Sequence, residues 1–172
     1  MIGLFLGGTD FPSLILKKLK KKRKKYFIID LTKKNFFKKY KNSYFISIGK
    51  FGEILKLIHD KKCKKVLFAG KIEKPKISNL ELDFKGLYYL PRIIKAFSLG
   101  DAAILKELIN ILNENKIKVI KSNFFNPELT LNKGTYTKLK PTLDDLKEIG
   151  IGLKYLKKLS PYNHTQAIIV RN

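Results

Sequence analysis

Short, continuously apolar runs alternate along the chain with segments whose apolar residues recur at helical spacing. Runs of four to six residues that end at glycine or a polar residue are typical of buried strands. The predicted strands are Ile2–Leu6, Tyr26–Ile29 ending at Asp30, Tyr44–Ile48, Val66–Ala69, Ile117–Ile120 and Gln166–Val170. Helical spacing predicts helices from Phe11, over 51–61, around 87–97, over 101–114 and from Thr142 to about Lys158.

Strands separated by helices favour parallel pairing through crossover connections. We therefore predict a Rossmann-like α/β fold, a mostly parallel sheet with flanking helices, over residues 1–125. The composition changes after this segment, so residues 126–140 are interpreted as a connector and 141–172 as the start of an incomplete second α/β domain.

Three helix starts carry residues suited to capping. Thr9 or Asp10 is placed to cap the helix that begins at Phe11, and Asp101 is placed as an N-cap after Gly100. Thr142 and Asp145 have the spacing of a capping box, with an acid at the third helical position.

The formal charge of +23 comes almost entirely from lysine, since the chain has only three arginines. Surfaces that read nucleic acid more often use arginine, so most of the lysine is interpreted as solvated surface. The single cysteine, Cys63, excludes an internal disulfide and a cysteine-cluster metal site. No apolar stretch approaches the roughly 20 residues that span a bilayer. The apolar start precedes its positive charges, the reverse of a secretory signal, so we expect a cytoplasmic protein.

The turn Gly7-Gly8 lies between the first strand and the first helix, where backbone amides and the helix N-terminus favour a phosphate. A structural turn also needs glycine, so this feature alone leaves both interpretations open. The dinucleotide fingerprint is incomplete, because only Gly7 fits its glycine positions. Asp30 lies about where that fingerprint places a ribose-binding acid, which keeps a nucleotide or nicotinamide binder as an alternative.

Other polar residues give no catalytic arrangement. Lys71 follows Gly70 and is a candidate partner for a phosphate, and Asp101 is a candidate for the ligand crevice or a metal. His59 is expected at the surface, and His164 has no visible nucleophile partner. The sequence thus predicts a binding platform more clearly than a catalyst, and leaves the catalytic and metal-binding residues unknown.

Several segments, read in order, resemble the UDP-2,3-diacylglucosamine pyrophosphatase family of lipid A biosynthesis. The similar segments are Gly3–Pro12, Gly49-Lys50-Phe51-Gly52, Phe68–Pro75, Leu90-Pro91, Gly100–Leu105, Pro127–Leu129 with the 141–152 stretch, and Gln166–Val170. The resemblance covers essentially the whole chain. It departs from the family pattern at Thr9, Ala102, Phe124 and Thr165.

The resemblance implies Mg²⁺-dependent hydrolysis of UDP-2,3-diacylglucosamine to UMP and 2,3-diacylglucosamine 1-phosphate (lipid X). It also implies a ligand between two domains, bound on the first domain by a set of nine residues. These are Gly8, Thr9, Asp10, Gly70, Lys71, Gly100, Asp101, Asn123 and Phe124. The family's later acidic segment is absent from these 172 residues, so we expect a chain of this length to lack hydrolase activity or to need a complementing chain.

The expected partners follow from the same resemblance. They are a UDP-linked diacylated glucosamine, an anionic membrane surface such as the inner membrane, on which the protein would be peripheral, and a second copy in a homo-oligomer; no specific nucleic acid is expected. A remaining alternative is a basic module that binds nucleic acid or anionic membrane through Lys17–Lys25.

Overall fold

In the computed structural model, which describes residues 1–73, 75–132, 134–159, 165 and 167–170, all five strands and the first four helices lie within residues 2–119. The strands are β1 (Ile2–Leu6), β2 (Tyr26–Asp30), β3 (Ser43–Phe45), β4 (Lys65–Ala69) and β5 (Lys118–Val119). The helices are α1 (Phe11–Lys21), α2 (Phe51–Asp60), α3 (Phe84–Phe97), α4 (Asp101–Glu114) and α5 (Leu143–Leu159). Short 3₁₀ turns cover Ile77–Asn79, Ser122–Phe124 and Pro127–Leu129.

The five strands form one parallel sheet in the order β3-β2-β1-β4-β5, which confirms the predicted Rossmann-like α/β class. Leu6 pairs with both Asp30 and Ala69, so β1, β2 and β4 end level with one another. In this strand order the chain reverses its direction of winding between β1 and β4, and a ligand crevice is expected beyond their carboxyl ends. That edge of the sheet is called the carboxyl edge below.

Alternate side chains of the strands build a core on each face of the sheet. Leu4 and Leu6 of β1 pack with Ile15, Leu16 and other residues on the α1 side. Phe5, between them, packs on the opposite face with α2 and the C-terminal half of α4. The helix-period positions therefore cover both faces, as the crossover topology requires.

Several predicted boundaries are corrected. The third strand is Ser43–Phe45 rather than 44–48, because its pairing ends where β2 ends, at Asp30 opposite Phe45. The fifth strand is limited to Lys118 and Val119, although β4 continues to Ala69, because the chain turns away into the 3₁₀ turn Ser122–Phe124. The third helix begins at Phe84 rather than near 87, and Asp83 is its N-cap. The predicted strand over 166–170 is wrong for residues 167–170, which have no regular structure, and Gln166 lies outside the described residues.

The helix caps agree with the sequence in part. The Thr142–Asp145 capping box is confirmed, because the Asp145 carboxylate accepts from the Thr142 amide at 2.8 Å and the Thr142 hydroxyl accepts from the Asp145 amide at 3.2 Å. Asp10 occupies the N-cap of α1 without a side-chain capping bond. The N-cap of α4 is Gly100, not Asp101, because the backbone there adopts φ +97°, which favours glycine.

The connector and α5 follow the sheet. Only Gly152 of α5 is buried, next to Ile168 and Val170. No helix among the described residues combines the length and the apolar character that crossing a bilayer would require.

Candidate functional site

The Gly7-Gly8 turn packs against the turn that follows β4. The Gly7 amide donates to the Ala69 carbonyl and the Gly8 amide donates to the Lys71 carbonyl, both at 2.9 Å. A Cβ at Gly7 would overlap the Lys71 carbonyl, and one at Gly70 would lie 2.8 Å from Pro12. Close chain contact, and φ +88° at Gly70, therefore account for these glycines. The Gly7 and Gly8 amides, which the sequence suggests as donors to a phosphate, therefore donate hydrogen bonds within the protein instead.

Asp30 organises the loop that follows β2. Its side chain is fully buried and accepts hydrogen bonds from the Thr32 amide (2.9 Å), the Thr32 hydroxyl (2.6 Å) and the Phe37 amide (2.9 Å). A carboxylate whose two oxygens are engaged by its own loop is not presented to a ribose. This geometry does not favour the nucleotide or nicotinamide binder suggested by Asp30.

A segment before α3 crosses the carboxyl edge and covers the start of α2; we call residues 75–83 the strap. Its last residue, Asp83, caps α3 by accepting from the Gly86 amide at 2.7 Å and also accepts from the Glu53 amide of α2 at 2.9 Å. Burial raises the pKa of Asp83, but hydrogen bonds from backbone amides outweigh it and hold the pKa below its usual value. Lys50 pairs with Glu81 of the strap at 2.8 Å. The anion-binding end of α2 is thus occupied by the protein's own carboxylate.

An apolar cavity of about 470 Å³ opens between the carboxyl edge, the strap, α3 and α4. Its volume lies within the range of small-molecule sites, about 300–1,000 Å³. The ends of the strands and the turn at Gly70 contribute one wall of the cavity, the strap contributes another, and α3 and α4 contribute the rest. Representative lining residues are Phe68, Gly70, Leu82, Leu90, Ile93, Phe97, Leu105 and Leu108. Such a lining suits a hydrocarbon chain better than a nucleotide.

The cavity explains why part of the apolar stripe of α4 is not buried. Helical spacing places Ile104, Leu105 and Leu108 on the apolar side of α4, where they line the cavity, and Leu105 is 45 % exposed. Leu112, one turn further along, is buried beneath the sheet. Helical spacing therefore identifies the apolar side of α4 correctly. The first part of that side lines the cavity and its last turn lies in the core.

The structure brings together some of the nine candidate site residues and separates others. Gly70 and Asp101 both line the cavity. Gly8 joins Lys71 through the backbone, and Gly8, Thr9, Asp10 and Lys71 are exposed at the carboxyl edge. Gly100 caps α4 next to Asp101. Asn123 and Phe124 lie in the 3₁₀ turn after β5, and they are not among the residues that line the cavity.

Charged groups at the cavity are few. Glu73 lines it and pairs with Lys33 at 2.6 Å, and this lysine holds the pKa of Glu73 below its usual range. Within the described ranges, no group of three or more His, Cys, Asp or Glu residues is arranged to hold a metal ion. A magnesium ion at the cavity would therefore be held by fewer than three such residues, together with substrate phosphates. His59 is at the surface as expected, with 93 % of its side chain exposed, and His164 lies outside the described residues.

Sequence reasoning missed the strap and the apolar cavity. A signal for the strap was present, because Asp83 precedes an apolar helix and lies three residues before Gly86, as an N-cap residue would. The cavity had no such signal, since it depends on how α3 and α4 pack against each other. Arg92 fixes that packing by pairing with Glu107 at 2.6 Å and Glu114 at 2.7 Å.

Comparison with known proteins matches residues 1–129 to the family described as the LpxI N-terminal domain. The chain belongs to this LpxI family. The matched residues include the whole sheet, α1 to α4 and the strap, and therefore every wall of the cavity.

A curated relative, the UDP-2,3-diacylglucosamine pyrophosphatase LpxI of Caulobacter vibrioides, is 28 % identical over 125 residues. The alignment covers 73 % of this chain and 45 % of the relative, so the chain matches less than half of that protein's length. Among solved structures, a dTDP-glucose 4,6-dehydratase of Bacillus anthracis in complex with NAD is 14 % identical, with a TM-score of 0.37 over 93 % of this chain and 52 % of that chain. A TM-score this low supports no conclusion about a shared ligand.

Proposed function

We propose that this LpxI-family chain binds UDP-2,3-diacylglucosamine in lipid A biosynthesis and serves the Mg²⁺-dependent hydrolysis of its pyrophosphate to UMP and lipid X. The observation that supports this proposal best is the apolar cavity, which lies beside the carboxyl edge and lies wholly within the family match. The curated relative is named for a diacylated sugar nucleotide. An acyl chain in the cavity would leave the charged end of such a molecule near the exposed residues Thr9, Asp10 and Lys71.

The described residues supply binding and orientation in this proposal. The cavity excludes water from a hydrocarbon chain, and the lysine-rich surface attracts the pyrophosphate. Magnesium would polarise phosphoryl oxygens and help to deliver water when it is bound. Because the described part of the chain contains no metal-holding group, we assign no catalytic step to its residues.

Ligand binding tests the proposal directly. We expect this chain to bind UDP-2,3-diacylglucosamine at least tenfold more tightly than UDP-N-acetylglucosamine, which lacks the long acyl chains, in isothermal titration calorimetry. The variant Leu105→Trp places a large ring in the cavity and should remove this difference. Leu131→Trp, at an exposed connector position outside the cavity lining, is the matched control and should retain it. Equal affinity for the two ligands would contradict the proposal.

Hydrolysis is tested separately, by measuring UMP release from UDP-2,3-diacylglucosamine with added Mg²⁺ and with a chelator. Release that requires Mg²⁺ and falls in Leu105→Trp would support the full reaction in this chain. Binding without release would restrict the chain to the substrate-binding part of the proposal. Light scattering on the same samples tests the expected homo-oligomer.

The basic-module alternative receives less support. Lys17–Lys25 forms the exposed end of α1 and the turn after it, apart from the buried Leu19, and Lys18 pairs with Glu128 at 2.7 Å. These are the contacts of a solvated helix end.

A further inference from the structure

The outer side of α3 is apolar although it faces solvent. Phe84, Leu87, Tyr88, Pro91 and Ile94 recur at helical spacing and are all exposed, with Phe84 at 88 % and Tyr88 at 71 %. We call these five residues the α3 outer face. The inner side of the same helix lines the cavity with Leu90, Ile93 and Phe97, so α3 is apolar on two sides, and its charged residues are Lys85, Arg92 and Lys95. A helix of this kind is expected to bury its second side against another apolar phase.

A basic groove lies beside the α3 outer face. It has a volume of about 880 Å³ and is lined by the five lysines Lys56, Lys62, Lys64, Lys85 and Lys116, with Asp60 as its one acidic side chain. Lys85 connects the two features, because it lines the groove and follows Phe84 in the first turn of α3. Exposed apolar side chains next to clustered lysines are the combination that holds an interfacial helix on an anionic bilayer.

We propose that the α3 outer face and the basic groove together dock this protein onto an anionic phospholipid bilayer. The apolar side chains enter the boundary between headgroups and acyl chains, roughly 5–10 Å deep, and the groove lysines contact lipid phosphates. This inference rests on the proposed function for its purpose, because docking by α3 sets the cavity beside the membrane from which a diacylated substrate would come.

Charge selects the bilayer over a protein partner. An apolar protein partner needs no dense positive charge at its border, whereas an anionic lipid surface is attracted by each lysine near it. The α3 outer face adjoins the basic groove at Lys85, which lines the groove and is the neighbour of Phe84 in α3. The exposed apolar residues of α5, such as Leu143 and Leu153, belong to a different part of the chain.

Tryptophan fluorescence tests the docking surface cleanly, because the chain contains no tryptophan. Tyr88→Trp places the sole indole on the α3 outer face, and Tyr155→Trp places it on α5 as the matched control, at a tyrosine that is also exposed. With vesicles of phosphatidylglycerol and phosphatidylethanolamine, we expect a blue shift and quenching by brominated lipid for Tyr88→Trp only. Vesicles of phosphatidylcholine should produce neither change.

The contribution of lysine is tested by two triple variants that remove equal charge. Lys56→Gln, Lys64→Gln and Lys116→Gln act in the groove, while Lys21→Gln, Lys22→Gln and Lys24→Gln act at the exposed end of α1. We expect the groove variant to lose at least tenfold in vesicle affinity by sedimentation and the α1 variant to lose severalfold less. Equal losses would mean that only the overall charge of +23 attracts the vesicle, and would overturn the proposal.

Two further results would overturn it. Vesicle binding without any change in Tyr88→Trp emission would place the contact elsewhere. Emission that is already blue-shifted without vesicles, together with a doubled mass in light scattering, would show that a second copy covers α3. None of these measurements uses UDP-2,3-diacylglucosamine, so failure of the docking surface and failure of the proposed substrate are observed independently.

Discussion

At the scale of single residues, the close contact between Gly7 and Gly70 accounts for the glycines at the carboxyl edge. Gly70 combines φ +88° with a site where a Cβ would lie 2.8 Å from Gly7 and Pro12, whereas Gly100 has φ +97° and open space around it. A residue with a side chain held at such a positive φ costs about 1–3 kcal/mol, and added crowding typically costs about 1–3 kcal/mol more. We therefore expect Gly70→Ala to lower the free energy of unfolding more than Gly100→Ala, measured by urea denaturation.

Gly150→Ala is the control for this pair, because Gly150 is helical, has an ordinary φ and has open space around it. It should cause no loss of stability, since alanine is the better helix former. If Gly70→Ala and Gly100→Ala lower the free energy of unfolding equally, the contact between the Gly7 and Gly70 turns contributes nothing to stability. A ligand would then be the better explanation for these glycines.

At the scale of elements, Asp83 ties the strap to two helices at once. Replacing an N-cap acid by alanine costs about 0.5–2 kcal/mol, and Asp83→Ala also removes the acceptor for the Glu53 amide of α2. Asp83→Asn keeps a good capping residue but loses the charge. We expect Asp83→Ala to be less stable than Asp83→Asn in urea denaturation, and both variants to bind UDP-2,3-diacylglucosamine more weakly, because Leu80 and Leu82 of the strap line the cavity.

The pKa of Asp83 gives this contact a pH dependence. Because the folded state lowers that pKa, its stabilisation is complete above the unfolded value, about 3.9, and is lost as the pH falls through the lower folded value. The stability difference between wild type and Asp83→Asn should therefore hold from pH 7 to about pH 5 and shrink at lower pH. Asp145 caps α5 and is not among the residues that line the cavity. Asp145→Asn is therefore the control for the ligand-binding measurement on the Asp83 variants, and it should leave binding of UDP-2,3-diacylglucosamine unchanged.

Elements also show how far the sequence could lead. β1, α1, α2 and α4 were predictable because apolar runs, proline and helical spacing are local signals. The end of β3 depends on where β2 stops, and the end of β5 depends on where the chain leaves β4, which no local pattern contains. Among the candidate site residues, Gly70, which follows β4, and Asp101, which begins α4, both line the cavity. The strap and the α3–α4 packing rest on long-range pairs such as Asp83 with Glu53 and Arg92 with Glu114, which only the fold brings together.

At the scale of the whole molecule, the charge of +23 opposes folding through self-repulsion. Salt shortens the range of this repulsion, from a Debye length of about 30 Å at 0.01 M to about 8 Å at 0.15 M. We therefore expect the melting temperature to rise over this interval, measured by circular dichroism. Replacing Lys21, Lys22 and Lys24 by glutamine should raise the low-salt melting temperature and weaken its dependence on salt, because these exposed lysines lie in a dense run of positive charge.

The identity of the anion separates screening from binding. Screening depends on ionic strength alone, so chloride and acetate should raise the melting temperature equally at equal ionic strength. A much larger effect of one anion would contradict the repulsion argument and indicate that an anion site is being filled. The same salt that stabilises the fold should weaken vesicle docking, because it also screens the lysines of the basic groove from lipid phosphates. Opposite responses of folding and docking to salt are thus the combined consequence of one excess of lysine.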